Sequence, residues 1–210
     1  MRSTIDFYTQ IHKALRRWLF NFSINISTTD FTDHNQCRAL DQELSQLFAL
    51  LRAHAHHEEA FFHPVISKYL AATYSETLSH EHEAQEKSLI AIEKISKSIC
   101  ENNQAIIREQ HTLLLYKTFN NFIADYLQHL NEEETIMPLL QERCTDAELL
   151  QPITALITSL TTDKIMESIT YMLPALNPQE RTNYMTHLLQ NADEKTRALM
   201  QARATAALQK

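Results

Sequence analysis

The stretch HAHHEEAFFHP, residues 54–64, decides how this chain is read. On a helix, Glu58 lies about 40° from His54, so both side chains point the same way. Leu40, Leu44, Leu47 and Leu51 step onto that same face at helical intervals, which marks it as the face turned to the core. A lone histidine in an apolar stripe is ordinarily a packed, hydrogen-bonded residue. A histidine and a carboxylate aimed together into a core need more, because burying an unpaired carboxylate is costly. A metal ion would supply that compensation. The stretch has an echo in HLNEEETIMPLL, residues 129–140, where His129 and Glu133 repeat the spacing and Pro138 again follows.

Composition narrows the fold. The chain has 210 residues, 44% of them hydrophobic, no glycine and five prolines. Phosphate-cradling loops and dinucleotide folds lean on glycine for positive φ, so both are excluded, and an all-α protein is expected. The three cysteines, Cys37, Cys100 and Cys144, are scattered and odd in number, which fits reduced thiols in a cytoplasmic protein. A formal net charge of −7 speaks against nucleic acid or an anionic membrane as partner. No apolar run approaches the roughly 20 residues of a membrane span, and the start lacks an apolar signal region.

Four long helices are expected first. One runs from about Ser3 to Ile26, with Ile5, Tyr8, His12, Leu15, Leu19 and Ile26 on one stripe. After the polar break STTDFTD, Thr32 or Asp33 caps a second helix from His34 to beyond His63, which Pro64 kinks or ends. The third spans about Ser75 to Cys100, and ENNQ makes the next turn. The fourth carries Leu115, Phe119, Phe122 and Tyr126 into His129 and Glu133. From Thr145 onward the pattern shortens. Thr145 with Glu148 and Asn177 with Glu180 read as capping boxes around three or four short amphipathic helices. The expected division is therefore a bundle over 1–143 and a helical extension over 144–210, the latter available for a protein partner or self-association.

Helical phase sorts the eleven histidines. His56, Glu59 and His63 turn away from His54, and His57 is its close competitor. His34 lies roughly 30 Å from His54, and His111 roughly 27 Å from His129, along unbroken helices. His80 points away from the stripe that holds His82. Glu134 turns outward and Glu132 is marginal. What remains is His12, His54, His82 and His129, one histidine from each helix, with Glu58 and Glu133. If each carboxylate bridged two ions, each ion would have four protein bonds and keep a position or two for another ligand. Mixed nitrogen and oxygen donors with open positions suit non-haem iron ahead of manganese, and zinc seldom needs such an array.

On these segments, with IHKALRRWL around His12 and LSHEHEA around His82, the chain resembles the hemerythrin-like HHE cation-binding domains over about residues 4–143. The resemblance implies a four-helix bundle holding two non-haem iron ions, bridged by two carboxylates and an oxo or hydroxo group. The oxygen-carrying members have a further histidine four residues before the one matched by His82; here that position is Leu78. The pattern is more similar to the iron-sulphur-repair and iron-sensing branches. The segment YMLPALNPQER is similar to segments that follow such domains in plant iron-responsive ubiquitin ligases, without their RING cysteines. The function expected is binding of, or reaction with, a diatomic ligand or peroxide (O2, NO) in sensing, iron homeostasis or stress repair, with oxidoreductase-type chemistry left open. The alternative is a helical interaction module with a structural metal, whose C-terminal helices dock a protein partner.

Overall fold

The protein was analysed as a computed structural model that describes residues 5–190 and 192–209. Every regular element among them is helical. The expected start of the first helix at Ser3 lies outside the described residues. Helix α1 is Thr9–Thr28. It begins where Asp6 turns the chain, its carboxylate accepting hydrogen bonds from the backbone N–H of Tyr8 (2.8 Å) and Thr9 (3.0 Å). Asp33, of the two candidates, caps α2 (His34–His57) by accepting from the N–H of Asn35.

The second long helix neither ends nor simply kinks at Pro64. It passes through one π-helical turn, Glu58–Phe62, and continues as α3 (His63–Tyr69), with Pro64 in the first turn of that segment. Pro64 lacks the N–H that a regular i→i−4 bond would need, and the wider turn takes up the mismatch. The N–H of His63 accordingly bonds the carbonyl of Glu58, five residues back. The extra residue shifts everything after it by about 100° relative to an unbroken α-helix.

Two more long helices, α4 (Ala72–Glu101) and α5 (Ala105–Arg143), complete an antiparallel four-helix bundle. Its core runs from Leu15, Leu19 and Ile26 through Leu44, Phe48 and Leu51 to Ile92, Leu115 and Phe119, all buried. At the loop end of this core sits Arg108, 4% exposed. Its guanidinium donates to the carbonyls of Phe31 and Asn102, both at 2.8 Å, and of Thr32 at 2.5 Å. One buried cation thus ties the α1–α2 loop to the α4–α5 turn.

Helices α6 (Asp146–Ser159), α7 (Thr162–Met172), α8 (Pro178–Leu189) and α9 (Glu194–Ala207) follow. Both expected capping boxes are present, Thr145 with Glu148 and Asn177 with Glu180. Leu149, Ile153 and Leu156 of α6 pack against Phe7, Phe62 and Leu140. Ile169 of α7, Leu173 and Met200 of α9 form a small core of their own. The Lys13 ammonium and Glu180 carboxylate pair at 2.5 Å between α1 and α8. No described helix is long and apolar enough to cross a membrane.

Arg108→Met should unfold at lower urea, by roughly 1–3 kcal/mol, because buried carbonyls lose their donor. An unchanged midpoint would show that water replaces the guanidinium without cost.

Candidate metal centre

In the half of the bundle next to the π-helical turn, six side chains expected to share a site are gathered. His12 comes from α1, His54 from α2, Glu58 from the π-helical turn, His82 from α4, and His129 and Glu133 from α5. All six are buried, and Glu58, Glu133 and His12 have no measurable exposure. They form two overlapping groups, each with donor atoms within 4.8 Å of one another: His12, His54, Glu58 and Glu133, and Glu58, His82, His129 and Glu133. The carboxylates are common to both. Glu58 Oε1 stands 3.1 Å from His54 Nε2 and 3.8 Å from His12 Nε2, while its Oε2 stands 3.4 Å from His82 Nε2. Glu133 Oε2 lies 3.3 Å from His12 Nε2, and Oε1 lies 3.4 Å from His129 Nε2.

Among the described residues, both oxygens of both glutamates and Nε2 of His12 and His54 are buried without a well-formed hydrogen bond. Leaving one such atom unpaired costs on the order of 1–3 kcal/mol, and more for a charge. Two carboxylates left so in one cavity call for cations. The donor set, four imidazole nitrogens and four carboxylate oxygens, fits divalent transition metal ions.

The outer ring nitrogens are fixed in a pattern that helical phase alone did not reveal. Nδ1 of His12 bonds Glu134 (2.9 Å), Nδ1 of His82 bonds Glu59 (3.1 Å) and Nδ1 of His129 bonds Glu81 (2.7 Å). Each acid comes from a neighbouring helical segment, so the contacts strap α1 to α5, α4 to the π-helical turn, and α5 to α4. Such carboxylates orient the ring and turn Nε2 inward, where those of His82 and His129 meet each other at 3.1 Å. Glu134 is itself held by Arg16 Nη1 at 2.7 Å. Glu59 and Glu134 are therefore not simply solvated, as their phase suggested: they sit at the rim and their long side chains fold back. Glu81 carried one signal, its place directly beside His82 in an alternating HEHE run. His56 and His80 do face solvent.

His63 is the clearest correction. An unbroken helix would put it opposite His54; the π-helical turn brings it to the Glu58 side, 6% exposed. Its ring stacks on that of His82 at 5.6 Å and 10°, Nδ1 meets Ser79 Oγ at 3.2 Å, and Nε2 is buried without a partner. The expected competitor, His57, is half-buried and outside both donor groups. The rings of Tyr8 and Tyr126 lie tilted against those of His12 and His129, with centroids 5.2 and 6.0 Å apart. Burial, reinforced by the two glutamates, raises both phenols well above their ordinary value, so they stay neutral.

Electrostatics within the cluster split its members. Burial alone would lower His12, but the close carboxylates of Glu133 and Glu58 outweigh it and raise it to about 9. Burial, with the His12 charge beside it, takes His54 down to about 4. For Glu133, burial acts upward and the surrounding histidines, His12 foremost, bring it down to about 2. Without metal, then, His12 carries a proton between the two carboxylates at neutral pH.

The class defined here is an all-helical bundle with a buried His/Glu cluster able to hold cations. The chain belongs to the hemerythrin family: residues 3–140 match the hemerythrin HHE cation-binding domain. It is also similar to F-box/LRR-repeat protein 5 of Xenopus laevis, 23% identical over 146 residues, and of Mus musculus, 24% identical over 146 residues. The match takes in 69% of this chain but only 21% and 20% of those proteins, so the chain spans about a fifth of the length of these relatives. No solved structure gives a significant match.

Stability of the metal-free protein should peak near pH 6.5. The His12 contribution is full below its ordinary 6.5 and is lost as pH rises toward 9. That of His54 is full above 6.5 and is lost as pH falls toward 4, and that of Glu133 is lost from 4.5 down to about 2. Urea midpoints across this range test it; a midpoint that climbs steadily from pH 6.5 to 9 would contradict the charged His12. Metal uptake at pH 7 should also release roughly one proton from His12, read by calorimetry in buffers of different ionisation enthalpy.

Proposed function

We propose that this protein holds two non-haem iron ions and uses them to bind or react with a small ligand, O2, NO or a peroxide, in sensing, iron homeostasis or stress repair. The observation that carries the reading is the sharing of Glu58 and Glu133 between two buried donor groups, with none of the four glutamate oxygens in a well-formed hydrogen bond among the described residues. His12 and His54 would hold one ion and His82 and His129 the other, with Glu58 and Glu133 bridging. Bound iron would supply redox-active Lewis-acid centres with positions open to an exogenous ligand. The family match supports a bound cation.

The chain's own residues shape what enters. Apolar packing by Phe7, Phe62, Leu78 and Ile136 screens the cluster from water. Among the described residues, His63 Nε2 and the Tyr8 hydroxyl are sealed without a partner and would be free to hydrogen-bond a small guest. The bridging glutamates would fix the separation of the ions as their charge changes. We further assign residues 1–143 as the metal-binding unit and 144–210 as a helical cover over α1 and the π-helical turn.

Elemental analysis after anaerobic iron loading should give about two irons per chain. One tightly held zinc, with no iron uptake, would instead favour an interaction module with a structural metal. Glu58→Ala and Glu133→Ala should each lose the coupled pair, because one bond is taken from both ions. His82→Ala should leave a half-occupied centre, and His56→Ala or His80→Ala should leave the metal content unchanged. An intact coupled centre in Glu58→Ala would rule out bridging by that residue. His63→Leu should keep its iron and alter ligand affinity or off-rate several-fold; loss of iron there would make His63 a ligand.

A further inference from the structure

Three of the four inward histidines have a carboxylate behind Nδ1; His54 has none among the described residues. Metal-binding histidines nearly always give that second N–H to an acceptor. The residual exposure of His54, 7%, opens onto a cavity of about 460 Å³ between the bundle and the C-terminal helices. Its walls are mainly apolar: Phe7 and Ile11 on one side, Leu50 beneath, and Leu156, Ile157 and Leu160 opposite. That volume falls within the range of small-molecule sites, which pair apolar walls with a few polar groups that fix orientation.

Several polar groups share these walls, and some of them are accounted for. Asp6 is used by the N–H groups that start α1, and Glu167 by the Lys164 ammonium at 2.7 Å. Tyr184 and Ser168 bond each other at 2.7 Å. The side chains of His54, His57, Tyr171 and His187 line the same space, and Lys164 stands at its edge. Gln10 and Asn183 line the space as well, and no carboxylate among the described residues meets Nδ1 of His54.

We propose that this cavity binds an apolar monocarboxylic acid, its carboxylate accepting from His54 Nδ1–H and its hydrocarbon body lying between α1–α2 and α6–α7. The site rests on the metal reading above, because an ion on Nε2 is what leaves the proton of His54 on Nδ1. In the metal-free protein Nε2 instead faces Glu58 Oε1 at 3.1 Å and competes for that proton. Binding there would complete the ring of carboxylates around the four histidines. It would also couple occupancy of the cavity to the ion held by His12 and His54, through residues of the C-terminal helices.

The test uses the full chain, loaded with iron and assayed for metal content before titration. Decanoate should bind one per chain by calorimetry, and decanol at least tenfold more weakly. Decanoate affinity should fall by a similar factor in the metal-free protein. Ala53→Trp and Ile157→Trp fill the cavity from opposite sides, and either one that circular dichroism shows folded should abolish binding while keeping its iron. Loaded protein that ignores decanoate overturns the proposal, as does equal affinity for decanol or binding that survives a folded filled variant. A chain that takes up no metal would fail on the elemental analysis alone. That result overturns the metal reading, and this site with it, whereas a loaded chain that ignores decanoate overturns only the cavity assignment.

Discussion

Two buried carboxylates facing one another across a bundle core are the constraint on which the rest of this structure turns. Glu58 and Glu133 have no exposure and no well-formed hydrogen bond to their oxygens. In an interior of low dielectric their repulsion and desolvation oppose folding unless positive charge lies between them. The protein's own answer is proton binding by the histidines beside them, His12 above all, whose affinity for a proton the two carboxylates raise. A pair of cations would relieve the same crowding of carboxylates directly. Much of the local architecture follows from keeping this arrangement in register. The straps from Glu59, Glu81 and Glu134 set three imidazoles at fixed tilt, and Arg16 anchors one strap in turn.

The fold and the gathered six side chains were legible in the sequence because both obey one period. Leu40, Leu44, Leu47 and Leu51 announce the phase, and His54 and Glu58 inherit it before the helix changes pitch. The same reasoning fails one turn later. At 100° per residue His63 falls outside, but the segment before it winds with five-residue hydrogen bonds. Pro64 was the available hint, and it was read as a kink or an end, since nothing in the sequence states how the missing N–H is accommodated. Glu59 and Glu134 were given the right helical face and the wrong role. Phase locates a Cβ, whereas a glutamate carboxylate can swing several ångströms from it toward a neighbouring helix.

Other features lay beyond what one chain segment can show. Nothing in the sequence sets Arg108 apart, and only the meeting of two loops around it makes it a buried clamp. The capping boxes at Thr145 and Asn177 did announce α6 and α8, because a cap is a local device. Where those helices would pack was not written in them. Their docking over α1 and the π-helical turn, which encloses a cavity against His54, is a product of tertiary contact.

The central claim is that Glu58 and Glu133 hold two ions at once. X-ray absorption at the iron edge of fully loaded protein addresses it most directly. A bridged pair should give an iron–iron scattering shell at about 3.5–4 Å, the separation usual in two-metal sites, together with nitrogen and oxygen neighbours. Spectra with first-sphere nitrogen and oxygen but no second iron, at full occupancy, would contradict it.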